Sequence, residues 1–184
     1  MLSLHQDVER VLFSEKEIEA GLERVAAEIA AAYPDGDFTV VAVLKGSCVF
    51  VADLIRRIPR SLELAFAAAS SYRSGTTGGD LDVLFFPDER EIEGRRLLLV
   101  DDILDSGRTM TALASEFLAR GAAEVRSCVF LDKPARRAVD YTADFRCFEV
   151  NDVFVVGYGL DYQGRYRNLP YVGALKAEAI DATV

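Results

Sequence analysis

Two adjacent carboxylates, Asp101 and Asp102, follow the apolar run Leu97-Leu98-Leu99-Val100, and Asp105-Ser106-Gly107-Arg108-Thr109 comes directly after Ile103-Leu104. Paired acids at the end of a buried strand are costly unless something compensates them, and a divalent cation or the hydroxyls of a sugar would do so. The residues that follow suit an anion. Backbone amides at a helix start point outward and the helix dipole favours negative charge. Ser106 and Thr109 add hydroxyl donors, and Gly107 lets the backbone approach a phosphate closely. The plainer reading is a helix N-cap, with Asp105 or Ser106 capping and the acids solvated; the buried strand leading into two acids weighs against it.

These residues need a scaffold, and the apolar pattern supplies one. Ser14 and Glu17 form a capping box, and Ile18, Leu22, Val25 and Ile29 continue it at helical spacing to about Tyr33. Phe38 to Leu44 is a continuous apolar run, the pattern of a strand buried on both faces. Lys45-Gly46-Ser47 breaks it, and a second helix is expected to run to about Ile58. Further strands are expected at Leu62–Ala69, Leu81–Phe86, Leu97–Val100, Val125–Leu131, Phe145–Val150 and Val153–Tyr158. The polar, glycine-containing stretch from Ser70 to Asp80 reads as a mobile loop. A helix starting near Gly107–Thr109 should end at Gly121, a good C′ residue. Strands alternating with helices imply an α/β fold with a parallel sheet covered on both faces. Ligands in such folds bind beyond the carboxyl ends of the strands, where Lys45-Gly46, Asp101 to Thr109 and Lys133 fall. The two terminal segments lie outside the repeat and read as a smaller lobe.

Bulk properties narrow the chemistry. The chain has 184 residues, 51% of them hydrophobic, with a formal net charge of -9. That length suits one domain, and that charge argues against a broad nucleic-acid surface. A single histidine, His5, rules out Ser-His-Asp and Cys-His hydrolases and histidine-rich zinc sites. Cys48, Cys128 and Cys147 sit among apolar or β-branched neighbours and read as buried thiols in a reducing cytosol. The N-terminus has no basic start followed by an apolar run, and no stretch approaches the roughly 20 apolar residues of a membrane span. A cytoplasmic protein is expected, with no membrane partner.

Leu97 to Thr109 as a whole resembles the phosphoribosyl diphosphate signature of type I phosphoribosyltransferases: four apolar residues, two acids, two apolar residues, an acid, a small hydroxyl residue, Gly, any residue and Thr. Every position is filled. Asp101 is the one departure, since the purine branch more often has Glu there, and its shorter arm reduces its reach. Other segments resemble the hypoxanthine-guanine phosphoribosyltransferases. Val43-Leu44-Lys45-Gly46-Ser47 is similar to their pyrophosphate loop, and Ser71-Tyr72-Arg73 to the start of their flexible catalytic loop. Val153 to Tyr162, with Tyr166 to Tyr171, is similar to their base-binding region. With Leu131-Asp132-Lys133-Pro134, the resemblance covers most of residues 40 to 172. Taken singly, each segment has a bland reading: a solvated Lys45, a surface Tyr72, a core Phe154, a simple turn at Lys133, an exposed Asp161–Arg167 pair worth little. Their appearance together in family order favours the functional one.

The resemblance implies the type I phosphoribosyltransferase fold, a central mostly parallel sheet flanked by helices. It further implies a single domain with a core of about 36–150 and a hood from about 1–15 and 151–184. The implied reaction moves 5-phosphoribosyl from phosphoribosyl diphosphate to N9 of a 6-oxopurine, hypoxanthine or guanine. Asp105 would handle a purine proton at N7. Asp101 and Asp102 would hold the ribose hydroxyls, directly or through magnesium, and Ser106, Gly107, Arg108 and Thr109 the 5′-phosphate. Lys45, Gly46, Arg137 and Arg167 would bind pyrophosphate. Lys133, Phe154, Val155 and Asp161 would bind the base, with Asp161 also ligating a second Mg2+. In the family the peptide leading into the pyrophosphate-loop lysine, here Leu44-Lys45, can be cis, and members are usually dimers or tetramers. The alternatives are a phosphoribosyltransferase for xanthine, adenine or a pyrimidine, a non-catalytic nucleotide-sensing regulator of the same fold, or an inert nucleotide-binding domain.

Overall fold

The computed structural model describes residues 5–34, 37–70 and 82–181. Ser71 and Tyr72, expected to begin the flexible loop, lie outside the described residues.

Six strands form the main sheet. They are β2 (Thr39–Leu44), β3 (Glu63–Ser70), β4 (Asp82–Phe85), β5 (Arg96–Leu104), β6 (Glu124–Asp132) and β7 (Phe145–Glu149), in the spatial order β4-β3-β2-β5-β6-β7. All pairings are parallel except β3 with β4. The period-2 alternation of a strand sorts its side chains between two cores. Val40 and Ala42 of β2 and Leu98 and Val100 of β5 pack under α1 (Glu15–Ala32) and α2 (Cys48–Ile55). Val41, Val43, Leu97 and Leu99 pack under α3 (Arg108–Ala119), against Met110, Leu113 and Phe117. Both faces are therefore covered, as the uninterrupted apolar runs require, and the α/β expectation is met.

Local signals act as expected at several ends. In the Ser14 capping box, the Ser14 amide donates to Glu17 Oε2 at 2.8 Å, and the Glu17 amide returns to Ser14 Oγ. The buried stripe of α1 is Ile18, Leu22, Val25 and Ile29, each worth about 1.5–3 kcal/mol when removed from water. Beyond α3, Gly121 takes a left-handed conformation.

A second, three-stranded antiparallel sheet, β1-β9-β8, draws on both ends of the chain: β1 is Val8–Phe13, β8 Val155–Val156 and β9 Val172–Leu175. It has its own small core of Val8, Val156, Tyr171 and Leu175. The chain closes on α4 (Ala177–Asp181). No helix among the described residues is long and apolar enough to cross a membrane.

Four expectations are corrected. The second helix stops at Ile55 rather than Ile58, because Ile58 precedes Pro59 and that position disfavours helix. The Val153–Tyr158 strand shrinks to Val155–Val156, since Gly157 and Tyr158 both take positive φ. β5 extends through Asp101 and Asp102, which stay in register with β6 as far as Leu104↔Asp132, so the two acids sit within the strand rather than past its end. Cys48 is exposed at the start of α2, while Cys128 and Cys147 are buried; burial pushes the Cys147 thiol up to about 12.

Candidate active site

β2, β5 and β6 are neighbours in the sheet, so their carboxyl ends lie side by side. That adjacency brings together three segments far apart in the chain. Lys45 leaves β2 exposed, with the Leu44-Lys45 peptide cis, and Gly46 and Ser47 are buried behind it. Ser47 Oγ donates to the Val43 carbonyl at 2.6 Å, which fixes the turn. Gly46 has no room for a side chain, because a Cβ there would fall inside the Asp102 carboxylate. Likewise a Cβ on Gly159 would collide with the Gly46 carbonyl, so the segment after β8 lies directly on this loop.

Asp101 is buried and the adjacent Asp102 is half-buried. Asp101 Oδ1 accepts from the Asp102 amide at 2.9 Å. Burial, reinforced by the Asp102 charge, holds the Asp101 carboxyl well above the usual carboxylate range, and burial also raises Asp102. A carboxyl with a raised folded-state pKa keeps a proton that the unfolded chain, titrating near about 3.9, releases. Stability therefore falls as pH climbs from that value to the folded-state pKa and is level beyond it. Asp101→Asn keeps the acceptor and removes the charge. It is expected to raise the thermal midpoint at pH 8 by about 2–4 °C, with the gain fading to nothing below about pH 4. Melting curves from pH 4 to 8 test this, and a lower midpoint at pH 8 would contradict it.

Past β5, Gly107 takes φ 83°, a left-handed conformation that only glycine adopts freely, and opens α3. Ser106 and Thr109 are half-buried on this turn and Arg108 is exposed. Asp105 stands at its start. Its Oδ1 is buried with no hydrogen-bond partner among the described residues, and its Oδ2 lies 3.5 Å from Arg136 Nη1.

From the end of β6 comes Lys133, only 5% exposed, its amide bonded to the Leu104 carbonyl. Burial is the main cause that lowers the Lys133 pKa, with Asp105 acting in the opposite sense. Lys133 Nζ is 3.9 Å from Asp152, which also binds Arg136 Nε at 2.7 Å. Phe154 is 41% exposed, unusual for a large apolar side chain, and stands edge-on to Tyr162 at 5.1 Å. The Phe154 carbonyl accepts from the Leu175 amide, and Val155 is buried in the second sheet.

Asp161 and Arg167 pair at 2.6 Å, and both are half-buried. The other Asp161 oxygen accepts from the Gly164 amide at 2.7 Å, and Arg167 Nη1 donates to the Gly159 carbonyl at 2.6 Å. Arg167 is also close enough to Asp102 to favour its ionised form.

Arg137 departs from its expected place among the pyrophosphate ligands. Its guanidinium is committed inward, to the Asp132 carboxylate and to the carbonyls of Leu104 and Asp105. Asp132, Arg136 and Asp152 are residues that the sequence reading missed. Asp132 carried the signal used for Asp101, an acid closing an apolar strand, whereas Arg136 and Asp152 sit in polar stretches with no distinguishing pattern.

Residues 12–163 match the family model for the phosphoribosyl transferase domain. The chain is 44% identical to the hypoxanthine-guanine phosphoribosyltransferase of Bacillus subtilis over 174 residues, covering 94% of this chain and 96% of that one. Among solved structures, it resembles a hypoxanthine phosphoribosyltransferase from Staphylococcus aureus with a TM-score of 0.89 at 35% identity, over 95% of each chain. It also resembles a variant of the Trypanosoma cruzi enzyme complexed with the product IMP, with a TM-score of 0.89 at 30% identity, over 98% of this chain and 97% of that one.

Proposed function

The chain belongs to the phosphoribosyl transferase family, and on that premise we propose how it works as a purine-salvage hypoxanthine-guanine phosphoribosyltransferase. It moves 5-phosphoribosyl from phosphoribosyl diphosphate to N9 of hypoxanthine or guanine, giving IMP or GMP and pyrophosphate. The observation that carries the residue assignments is that the unpartnered Asp105 oxygen and the start of α3 follow β5 while the buried Lys133 follows β6, at two adjacent strand ends.

The bond from C1 of the ribose to the pyrophosphate oxygen breaks while the bond to N9 forms. The sugar passes through a cation-like state, so the site must hold the reactants in line and keep water out. The start of α3 holds the 5′-phosphate through amides and the hydroxyls of Ser106 and Thr109. Asp105 accepts the proton from N7 as N9 attacks. Lys133 donates to the 6-oxo oxygen; an exocyclic amine there would face donor with donor, which disfavours adenine. Phe154 stacks on the purine, and the backbone near Val155 and Asp161 meets its C2 edge. Lys45, the Gly46 amide and Arg167 receive the departing pyrophosphate.

Magnesium suits this site. The candidate ligands Asp101, Asp102 and Asp161 are all oxygen donors, as a hard cation prefers. Among the described residues no group of three His, Cys, Asp or Glu side chains forms a ready metal cage. When bound, it would neutralise charge on the diphosphate.

The remaining features follow the same reading: one domain with core and hood, a dimer or tetramer, and a cytoplasmic location consistent with unpaired buried Cys128 and Cys147. Initial rates with phosphoribosyl diphosphate, Mg2+ and a panel of hypoxanthine, guanine, xanthine and adenine test the function. Turnover of the first two is expected. Turnover of adenine without hypoxanthine would overturn the base assignment, and strong heparin retention with no turnover at all would favour the nucleotide-sensing regulator.

A further inference from the structure

We propose that Arg137, locked by Asp132, is a positioning residue that turns three successive amides of the 104–107 loop towards the 5′-phosphate. The inference rests on the reading of that loop as the phosphate cradle. Arg137 Nη1 donates to the carbonyls of Leu104 at 3.0 Å and Asp105 at 2.6 Å, and the neighbouring Ala138 amide donates to the Ser106 carbonyl at 2.9 Å. Three consecutive carbonyls are thus held from behind by one short segment. In a planar trans peptide the C=O and the following N–H point in opposite directions. Holding the carbonyls of residues 104, 105 and 106 therefore aims the amides of Asp105, Ser106 and Gly107 the other way. Among the described residues none of those three amides has an acceptor. Successive free amides form an anion-binding concavity, and this one continues into the N-terminus of α3.

Two further contacts hold the device rigid. Asp132 is nearly buried and accepts from both Arg137 Nη2 and Arg146 Nη1, the latter at 3.1 Å, so the Arg137 fork has one available orientation. The Arg137 arm also lies against the loop itself, since a Cβ on Gly107 would stand 3.1 Å from Arg137 Cδ. A cation hydrogen-bonded to a carbonyl polarises the same peptide's N–H, which strengthens its bond to an anion in a low-dielectric site. Arg137 thus acts on the phosphate through the backbone, without touching it, and its side chain is only 16% exposed.

The test separates this role from the pyrophosphate contact that its position in the sequence suggests. Arg137→Gln, Arg137→Lys and Asp132→Asn are compared with the wild-type enzyme by calorimetric titration of ribose 5-phosphate, IMP and Mg2+-pyrophosphate, with melting curves for each. In Arg137→Gln the dissociation constants of ribose 5-phosphate and IMP should rise roughly tenfold or more, while that of pyrophosphate stays within about twofold. Asp132→Asn, the milder change, should shift the same two ligands in the same direction, and Arg137→Lys should recover part of the loss. Loss of pyrophosphate binding with ribose 5-phosphate retained would overturn the proposal, as would equal weakening of all three ligands in a folded protein, or no weakening at all. If Arg137→Gln does not fold, Asp132→Asn decides alone by the same comparison. A wild-type enzyme that binds no 5′-phosphate ligand would instead refute the underlying assignment of the loop.

Discussion

Asp105→Asn is expected to lower kcat by about two to four orders of magnitude while leaving the affinity for IMP within a few-fold of wild type. Asparagine has the same shape and can still accept a hydrogen bond, but it cannot take a proton. The expectation rests on the position of Asp105 at the head of the phosphate loop, with one oxygen buried and unpartnered and the other 3.5 Å from Arg136. A buried carboxylate oxygen without a partner is costly in a folded protein, and Asp105 is close enough to Lys133 to act on its charge, at the place assigned to the purine edge. Steady-state rates with hypoxanthine, together with IMP titration, check this. Turnover within about threefold of wild type would remove Asp105 from the proton-transfer role.

Lys133→Met should alter specificity as well as rate. Removing a charged donor from a buried acceptor costs about 2–4 kcal/mol, or roughly 30- to 1000-fold in kcat/KM for hypoxanthine. The relative disadvantage of adenine should shrink at the same time, because the opposed donor is gone. Folding should not suffer, since Lys133 is almost fully buried and burial already disfavours its charged form; methionine fills a similar volume without that penalty. The decisive quantity is the ratio of kcat/KM for hypoxanthine to that for adenine. An unchanged ratio with a uniformly lower rate would show that Lys133 does not read the 6-position.

Arg136 bears on both experiments. It bridges Asp105 and Asp152 and its charge also acts on Lys133, so it bears on both residues under test. Both measurements are best made across a range of ionic strength, which weakens the half-exposed Arg136 pairs more than the buried ammonium.

Much of the fold was legible in the chain because its signals are local. A capping box at Ser14, a helical stripe from Ile18 to Ile29 and a valine-rich run over β2 depend on residues within a few positions of one another. The alternation of such runs was enough to imply a parallel sheet covered on both faces. Where the reading missed, a local signal met a longer-range constraint. β5 continues through two aspartates because hydrogen bonds to β6 outweigh the poor strand preference of Asp. β1 escaped notice because only Val8 of its six residues is buried, so it shows no alternation; pairing with β9, more than 150 residues away, makes it a strand.

The site divides along the same line. The order of residues from Leu97 to Thr109 by itself pointed to a strand, two acids and a glycine turn into a helix, a pattern whose amides and dipole suit an anion and whose acids suit a cation or hydroxyls. Spacing along a chain does not say which strand ends are neighbours, nor in which direction a long side chain points. The sheet order decided that the segments carrying Lys45, Asp101 and Lys133 run side by side. Packing decided that Gly46 must be bare against Asp102. The buried Asp132 carboxylate decided that Arg137 turns inward to brace the loop rather than outward to solvent, because a nearly buried charge requires a partner and the nearest guanidinium supplies it.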